Sequence, residues 1–200
     1  LESAGMPAFG WNINSDWNKQ NLFGNSGALC IGCVGNDVPW MAKELGKKTI
    51  GILAYNVDNS KDCAEGVKKS FEKYPSAKVG FYSDSLSFGA TDFSVEVGQM
   101  KDAGVDFITT CMDTNGVLNI AKEARKQNLD AIQYLPNGYD QAFMKTNGQF
   151  FEGSVVRVPF IPFETKPQTK GLADYLKWMK KQGTTPNEYT TYGWINAAML

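Results

Sequence analysis

Histidine is absent from the 200-residue sequence, and no run of residues is long and apolar enough to cross a bilayer. Without histidine, the chain lacks the commonest general base, the serine–histidine and cysteine–histidine nucleophile pairs, and the usual ligand of catalytic zinc. Carboxylate or lysine catalysis stays open on composition alone. We nevertheless expect a protein that is not an enzyme and that holds no metal and no cofactor.

Strong charge of either sign is also missing, since the net charge is −1. No basic patch is visible, so we expect no nucleic-acid partner. Hydrophobic residues at 42% and charged residues at 20% are typical of a globular protein. The sequence begins at Leu1 and ends in the apolar helical pattern YTTYGWINAAML, so we expect an internal piece of a larger protein.

One unit recurs four times between Lys48 and Gly148: a β-rich run, a polar turn and a helical pattern. The strand candidates are KTIGILAY, KVGFYS, VDFITTC and AIQYL, followed by a fifth, GSVVRV. Phe93, Val97 and Met100 have the helical spacing of a buried face, and Ala103-Gly104 is a good helix stop. Such alternation predicts an α/β fold with a doubly wound parallel sheet.

Ligands of such sheets bind beyond the carboxyl ends of the strands. The functional edge is therefore predicted to consist of the turns at residues 55–60, 83–90, 113–116 and 136–140. The first of these turns, in GILAYNVDNSKDC, carries neither a G-x-G-x-x-G nor a G-x-x-x-x-G-K-[ST] phosphate-binding pattern. A nucleotide-using enzyme is therefore disfavoured.

Several segments, taken in order, resemble a known family. They are GMPAFGW, GKKTIGILAYNVDNSKDCAEGVKKSFEK, TDFSVEVGQMKDAGVDFI, ARKQNLDAIQYLPNG, EGSVV and TTYGWINAA. Together they resemble the type I periplasmic-binding-protein fold, specifically the branched-chain amino acid receptors of ABC transporters. The resemblance covers nearly the whole chain and depends on the ordered set rather than on one motif.

The resemblance implies two α/β lobes that close over a small ligand. Residues 1–33 would form the end of lobe one and the first crossover, 34–158 the complete lobe two, and 159–200 the second crossover and the return into lobe one. The implied function is extracytoplasmic capture of a small polar or amino-acid-like molecule, in the periplasm or as a cell-surface lipoprotein. The implied partners are that ligand and the membrane permease of an ABC importer, with the protein a monomer. The alternative is a ligand-sensing domain of a receptor or transcription regulator with the same fold.

Three polar positions are implied as ligand contacts. Asp113, with Thr114 beside it, follows a strand where the family presents a ligand-contacting side chain, and Asn137 stands where amino-acid receptors carry an acid for the ligand ammonium. Asn59 stands where many members carry tyrosine. Each position also has a local interpretation: Asp113 and Asn59-Ser60 as helix caps, and Asn137-Gly138 as a turn.

Aromatic residues form a second set of candidates. Trp11, with Asn12 beside it, is expected to end a strand at the cleft edge, and the loop residues Tyr55 and Tyr139 are expected on the same side. The family's returning helix implies two further ligand contacts, Tyr189 and Tyr192. By contrast, three tryptophans are interpreted as packing residues: Trp40, Trp178 and Trp194.

Four cysteines complete the candidates. Cys30 and Cys33 form a CxxC that could be redox-active, half of a zinc site or a structural clip; its Asn- and Gly-rich surroundings favour a structural disulfide. Cys63 is interpreted as opening a helix, and Cys111 ends a strand. In the strand order that the resemblance implies they lie near one another, so they form either a disulfide or two buried free thiols.

Overall fold

The computed structural model describes residues 2–10, 22–24 and 33–199, and a five-stranded parallel sheet is the main feature of these ranges. In chain order the strands are β1 (Ala8–Gly10), β2 (Leu22–Gly24), β3 (Thr49–Tyr55), β4 (Lys78–Leu86), β5 (Phe107–Cys111), β6 (Ile132–Leu135) and β7 (Val155–Val156). The main sheet has the order β4-β3-β5-β6-β7, and β1 and β2 form a separate parallel pair. All five predicted strands of the repeat are confirmed.

Helices precede, separate and follow the strands of the main sheet, with one after each of its first four strands as the repeat predicts. They are α1 (Asp37–Glu44), α2 (Asp58–Lys73), α3 (Ser94–Asp102), α4 (Thr114–Lys126), α5 (Gln141–Asn147), α6 (Lys170–Lys181) and α7 (Glu188–Met199). Short 3-10 turns occupy Glu2–Ala4 and Gly148–Phe150. None of the described helices combines the length and the hydropathy that a membrane span requires.

The sheet is covered on both faces, which explains why β3 is buried at every residue. Ile50 and Ile52 point to the face covered by α1 and α2, where Phe71 completes the core. Leu53 points to the opposite face, against a group from the α3 and α4 region that includes Phe93, Val97, Met100, Ile120 and Ala124. The predicted doubly wound α/β fold is therefore confirmed.

Helix α2 begins earlier than the sequence pattern indicates. Its first residue is Asp58, so Asn59 and Ser60 lie in its first turn and Cys63 lies in its second. The interpretation of Asn59-Ser60 as a cap, and of Cys63 as the opening residue, was wrong. A hydrogen bond from the Tyr55 backbone N–H to Ser60 Oγ, 2.8 Å long, ties this first turn to the strand end. The carboxylate of Asp58 also suits the positive end of the helix dipole.

Two of the three tryptophans interpreted as packing residues are exposed. Trp40 is 50% exposed, because α1 turns Val38 and Ala42 inward and leaves Trp40 outside. Trp178 is 42% exposed, and the Lys181 ammonium lies 4.3 Å from its ring centroid. Trp194 does pack, with its ring 5.9 Å from that of Tyr175. The packing interpretation was therefore wrong for Trp40 and Trp178.

The proline-rich segment after β7, expected to be an extended crossover, instead contains bends and a turn closed by a 3.1 Å hydrogen bond from the Thr165 N–H to the Pro162 carbonyl, and it contributes a small core of its own. Phe163 is buried together with Leu172 and Tyr175 of α6. Phe160 stacks on Phe163 with ring centroids 5.7 Å apart. Beyond this aromatic cluster the chain enters α7, which contacts β1 of the small sheet. The segment therefore links the two sheets through packed aromatic side chains.

Candidate functional site

A cavity of about 230 Å³ lies at the carboxyl ends of β3, β5 and β6, the predicted functional edge. Its walls combine apolar and aromatic side chains with a few polar groups, as small-molecule sites do. The lining residues are Tyr55, Val57, Asn59, Ser60, Cys63, Phe88, Cys111, Met112, Asp113, Pro136, Asn137 and Tyr189. Five of the predicted ligand-contact residues are thus brought together in one cavity: Tyr55, Asn59, Asp113, Asn137 and Tyr189.

Asp113 is both a helix cap and a part of the cavity wall. Its Oδ1 accepts a 2.8 Å hydrogen bond from the backbone N–H of Gly116, which caps α4. The same oxygen accepts a 3.3 Å bond from the Tyr55 hydroxyl. Neither bond uses Oδ2. The cap interpretation is confirmed, and among the described residues no hydrogen bond occupies the second carboxylate oxygen, which remains for a group that enters the cavity.

Tyr55 is held in the wall as a hydrogen-bond donor. Burial, and then the neighbouring Asp113 carboxylate, raises the pKa of Tyr55 to about 12, so its hydroxyl stays protonated at neutral pH. Its ring meets Phe88 edge to face, with centroids 5.2 Å apart. This contact makes Phe88 a lining residue although its side chain is 71% exposed.

Gly116 makes the approach of Tyr55 to Asp113 sterically possible. A Cβ at this position would lie against the Tyr55 hydroxyl and 2.7 Å from the Met112 methyl carbon. We expect Gly116→Ala to lower the free energy of unfolding by about 1–3 kcal/mol, since the tightly packed ring cannot retreat freely. Denaturant unfolding would measure this loss.

The matched control is Gly171→Ala in α6, where a new Cβ meets nothing within 4 Å. That helical position should gain about 0.5–1 kcal/mol, because alanine restricts the unfolded chain more than glycine does. Equal stability of Gly116→Ala and the wild-type protein would contradict the tight contact with Tyr55.

Asn137 places a buried, unpaired acceptor in the cavity wall. Its side chain is 9% exposed, and its Nδ2 donates a 3.2 Å hydrogen bond to the carbonyl of Met112. Its Oδ1 is buried and has no hydrogen-bond partner among the described residues. The predicted turn is confirmed, since Gly138 follows with φ at +109°. The turn thus presents an amide oxygen with unused hydrogen-bonding capacity.

A disulfide joins Cys63 of α2 to Cys111 at the end of β5, with the two Cα atoms 6.0 Å apart. Both cysteines line the cavity, so this bridge forms part of its wall. The Ser60 hydroxyl donates to the Cys111 carbonyl beside it. Cys33 is also disulfide-bonded. Cys30 lies outside the described residues, so the pairing of Cys30 with Cys33 stays a prediction.

Three predicted site residues do not line this cavity. The Tyr139 hydroxyl donates to Glu164 and accepts a 2.8 Å bond from the Phe163 N–H, which turns the ring toward the aromatic cluster. Tyr192 is buried and donates a 3.0 Å bond to Glu188. Thr114 is the first residue of α4 and lies beside the cavity rather than in its wall. Two others, Trp11 and Asn12, lie outside the described residues.

Sequence reasoning missed three residues that matter here: Phe88, Met112 and Glu188. Phe88 lies in a predicted functional turn, and an aromatic residue before Gly89 was the available signal. Glu188 lies beside Tyr189, whose pKa is raised by burial and then by the Glu188 carboxylate. No pattern in the sequence marks Glu188 as buried.

Solved structures share this fold. An ABC transporter protein for branched-chain amino acids from Thermus thermophilus, with bound valine, matches with a TM-score of 0.73 and 14% identity over 98% of this chain and 53% of its own. A periplasmic binding protein type 1 from Bordetella pertussis Tohama I matches with a TM-score of 0.69 and 22% identity, over 85% of this chain and 48% of its own. An R. palustris solute-binding protein in complex with 4-hydroxybenzoate matches with a TM-score of 0.65 and 15% identity, over 81% of this chain and 45% of its own.

The chain therefore spans about half the length of the solved structures that it matches. A search of curated proteins finds no significant match. A family model described as periplasmic binding protein matches residues 34–200, a range that contains the main sheet and every residue lining the cavity. With the shared type I fold, this match confirms the resemblance seen in the sequence, and the chain belongs to the periplasmic binding protein family.

Proposed function

We propose that the chain is part of an extracytoplasmic solute-binding protein that captures a small polar or amino-acid-like molecule for an ABC importer. The observation that carries this proposal is Asn137, a residue of the cavity wall whose side-chain Oδ1 is buried and has no hydrogen-bond partner among the described residues. A buried acceptor without a hydrogen bond is destabilising by about 1–3 kcal/mol. A solute that donates an N–H or O–H to this oxygen removes that penalty, and the gain becomes binding free energy.

Asp113 supplies a second acceptor in the same cavity, through the oxygen that neither Gly116 nor Tyr55 uses. A carboxylate accepts stronger hydrogen bonds than an amide when the donor is a charged nitrogen. The solute is therefore expected to turn a donor-rich nitrogen or hydroxyl group toward Asp113 and Asn137. Its apolar part would contact the rings of Phe88 and Tyr189.

Two sheets support a two-lobed arrangement. The proposed lobe two, residues 34–158, contains the whole five-stranded sheet. The proposed lobe-one pieces, residues 1–33 and 159–200, include the separate β1–β2 pair and α7, which contacts β1. Tyr189 of α7 lines the cavity beside residues of 34–158, as expected of a cleft between lobes.

Capture in this proposal needs no bond-making step, so the protein is not an enzyme. The solute contacts both lobes only when they are closed, and it shifts the population toward the closed form by this difference in contacts. The closed form is then recognised by the permease of the importer. A monomer in the periplasm, or tethered to the cell surface as a lipoprotein, fits this role.

A thermal-shift screen of the full-length protein tests solute capture. The panel contains amino acids, amides, polyamines, and aromatic and short-chain carboxylates, represented by valine, acetamide, putrescine, 4-hydroxybenzoate and propionate. A solute that binds only the folded protein raises the melting temperature. At a solute concentration one hundred times the Kd, the free energy of unfolding rises by about 2.7 kcal/mol. We expect at least one class to do so, and Asp113→Ala to reduce the shift.

Asp113→Ala also removes a helix cap, so its own melting temperature without solute is the baseline for each shift. Thr169→Ala, which removes the side-chain cap of α6 away from the cavity, is the control and should retain the full solute shift. No shift with any class, in a protein that unfolds cooperatively, would contradict solute capture and favour a sensor.

A further inference from the structure

Glu188, the first residue of α7, is a carboxylate buried to 3% exposure that does not itself line the cavity. Burial raises its pKa, and hydrogen bonds from its neighbours act in the opposite direction. A buried carboxylate is expensive unless its oxygens are satisfied, so its partners indicate what it stabilises.

Both oxygens of Glu188 are used. Oε2 accepts a 3.2 Å hydrogen bond from the backbone N–H of Gly138, and Oε1 accepts a 3.0 Å bond from the Tyr192 hydroxyl. The Glu188 backbone N–H donates in turn to the Tyr139 carbonyl, at 3.2 Å. A bridge between Asp140 and Asn187 extends the contact. The turn after β6 is therefore joined to the start of α7 by side-chain and backbone bonds.

Gly138 and Glu188, which the Oε2 bond joins, are each next in sequence to a residue of the cavity wall. Asn137, with the unpaired Oδ1, comes directly before Gly138, and Tyr189 comes directly after Glu188. Gly138 has φ at +109°, a backbone conformation that residues with a side chain rarely adopt. The turn therefore sets the direction of the Gly138 N–H. Fixing this N–H fixes the peptide unit from which the Asn137 side chain extends.

We propose that Glu188 is a positioning residue of the solute site, which holds the Asn137–Gly138 turn against α7 so that Asn137 and Tyr189 face one solute from two sides. This inference rests on the proposed function of solute capture. In the proposed two-lobed arrangement, α7 belongs to the lobe-one side and the turn to lobe two. The Glu188–Gly138 bond would then cross between the lobes at the cavity rim.

The test compares full-length wild-type protein with Glu188→Ala and Glu188→Gln. Amide hydrogen exchange is read at Gly138, and affinity is measured with valine, acetamide, putrescine, 4-hydroxybenzoate and propionate. Glu188→Ala should speed exchange at Gly138 and weaken binding about tenfold, the loss of one buried hydrogen bond. Glu188→Gln should restore both, because its amide oxygen can accept from Gly138 while its NH₂ donates to the rotatable Tyr192 hydroxyl.

Glu164→Ala is the matched control, since this carboxylate also accepts from a tyrosine of the same turn, Tyr139, whereas the Gly138 N–H donates to Glu188. It should leave exchange at Gly138 and solute affinity unchanged. Unchanged exchange in Glu188→Ala overturns the inference, and so does faster exchange with wild-type affinity. If the wild-type protein binds none of the five solutes, solute capture itself fails, which is a separate result from a failure of Glu188→Ala alone.

Discussion

Replacing Cys63 and Cys111 together by serine should lower the free energy of unfolding by about 3–4 kcal/mol. The bridge closes a loop between residues 48 positions apart, and in the chain-entropy model a loop of that length restricts the unfolded chain strongly. The loop contains most of α2 together with β4, α3 and β5, so two of the five strands of the main sheet lie within it. The denaturant midpoint of the double variant, compared with the wild type, would measure the loss.

Reduction provides the control. A phosphine reductant should move the wild-type midpoint toward that of the double variant, and any shift that remains in the variant reports the disulfide of Cys33. Because the bridge also joins α2 to the β5 end within the cavity wall, the double variant should bind solutes more weakly than the wild type. A double variant with the wild-type midpoint would show that the bridge contributes little to stability.

The main sheet and its covering helices could be predicted from the sequence because the elements of the repeat carried their own signals. The apolar run of β3 shows no alternation, which is the pattern of a strand covered on both faces of a parallel sheet, and β3 is indeed buried at every residue. Phe93, Val97 and Met100 are all buried, as their helical spacing predicted. The start of α2 was misplaced because Ser60 bonds across to β3 and β5, and such tertiary bonds leave no local pattern.

The sheet edge and the turns that form the candidate site could be predicted from the sequence. Which side chains of those turns line the cavity could not all be predicted. Asp113 and Asn137 each come one residue beyond the residue that follows a strand end, and parallel strands bring those ends together. Tyr139 lies in the same turn as Asn137, yet its ring turns away because Phe163 and Glu164, 24 and 25 residues later, bind its hydroxyl. The bond between Glu188 and Gly138 is likewise long-range, since Gly138 lies 50 residues earlier.

Exchanging the amide of Asn137 for an apolar group should have the largest effect on binding. Asn137→Leu removes the unpaired Oδ1 and keeps the branched shape of the side chain, and we expect solute affinity to fall about 10–100-fold, since a solute donor would then be buried without an acceptor. The free energy of unfolding should change little, because the substitution removes the cost of burying Oδ1 together with the hydrogen bond to the Met112 carbonyl. Isothermal titration with each panel solute that binds the wild type would measure the loss.

Asn137→Asp separates two kinds of solute in the same cavity. It keeps the acceptor but adds a negative charge to a wall that already contains Asp113, so a cationic nitrogen should bind more tightly and a neutral amide more weakly. Asn147→Leu is the matched control, since its Nδ2 also donates to a backbone carbonyl, that of Phe143 at 3.1 Å, but away from the cavity. If Asn137→Leu and Asn147→Leu both bind with wild-type affinity, the Asn137 oxygen does not contact the solute, and recognition must depend on Asp113 and the aromatic wall.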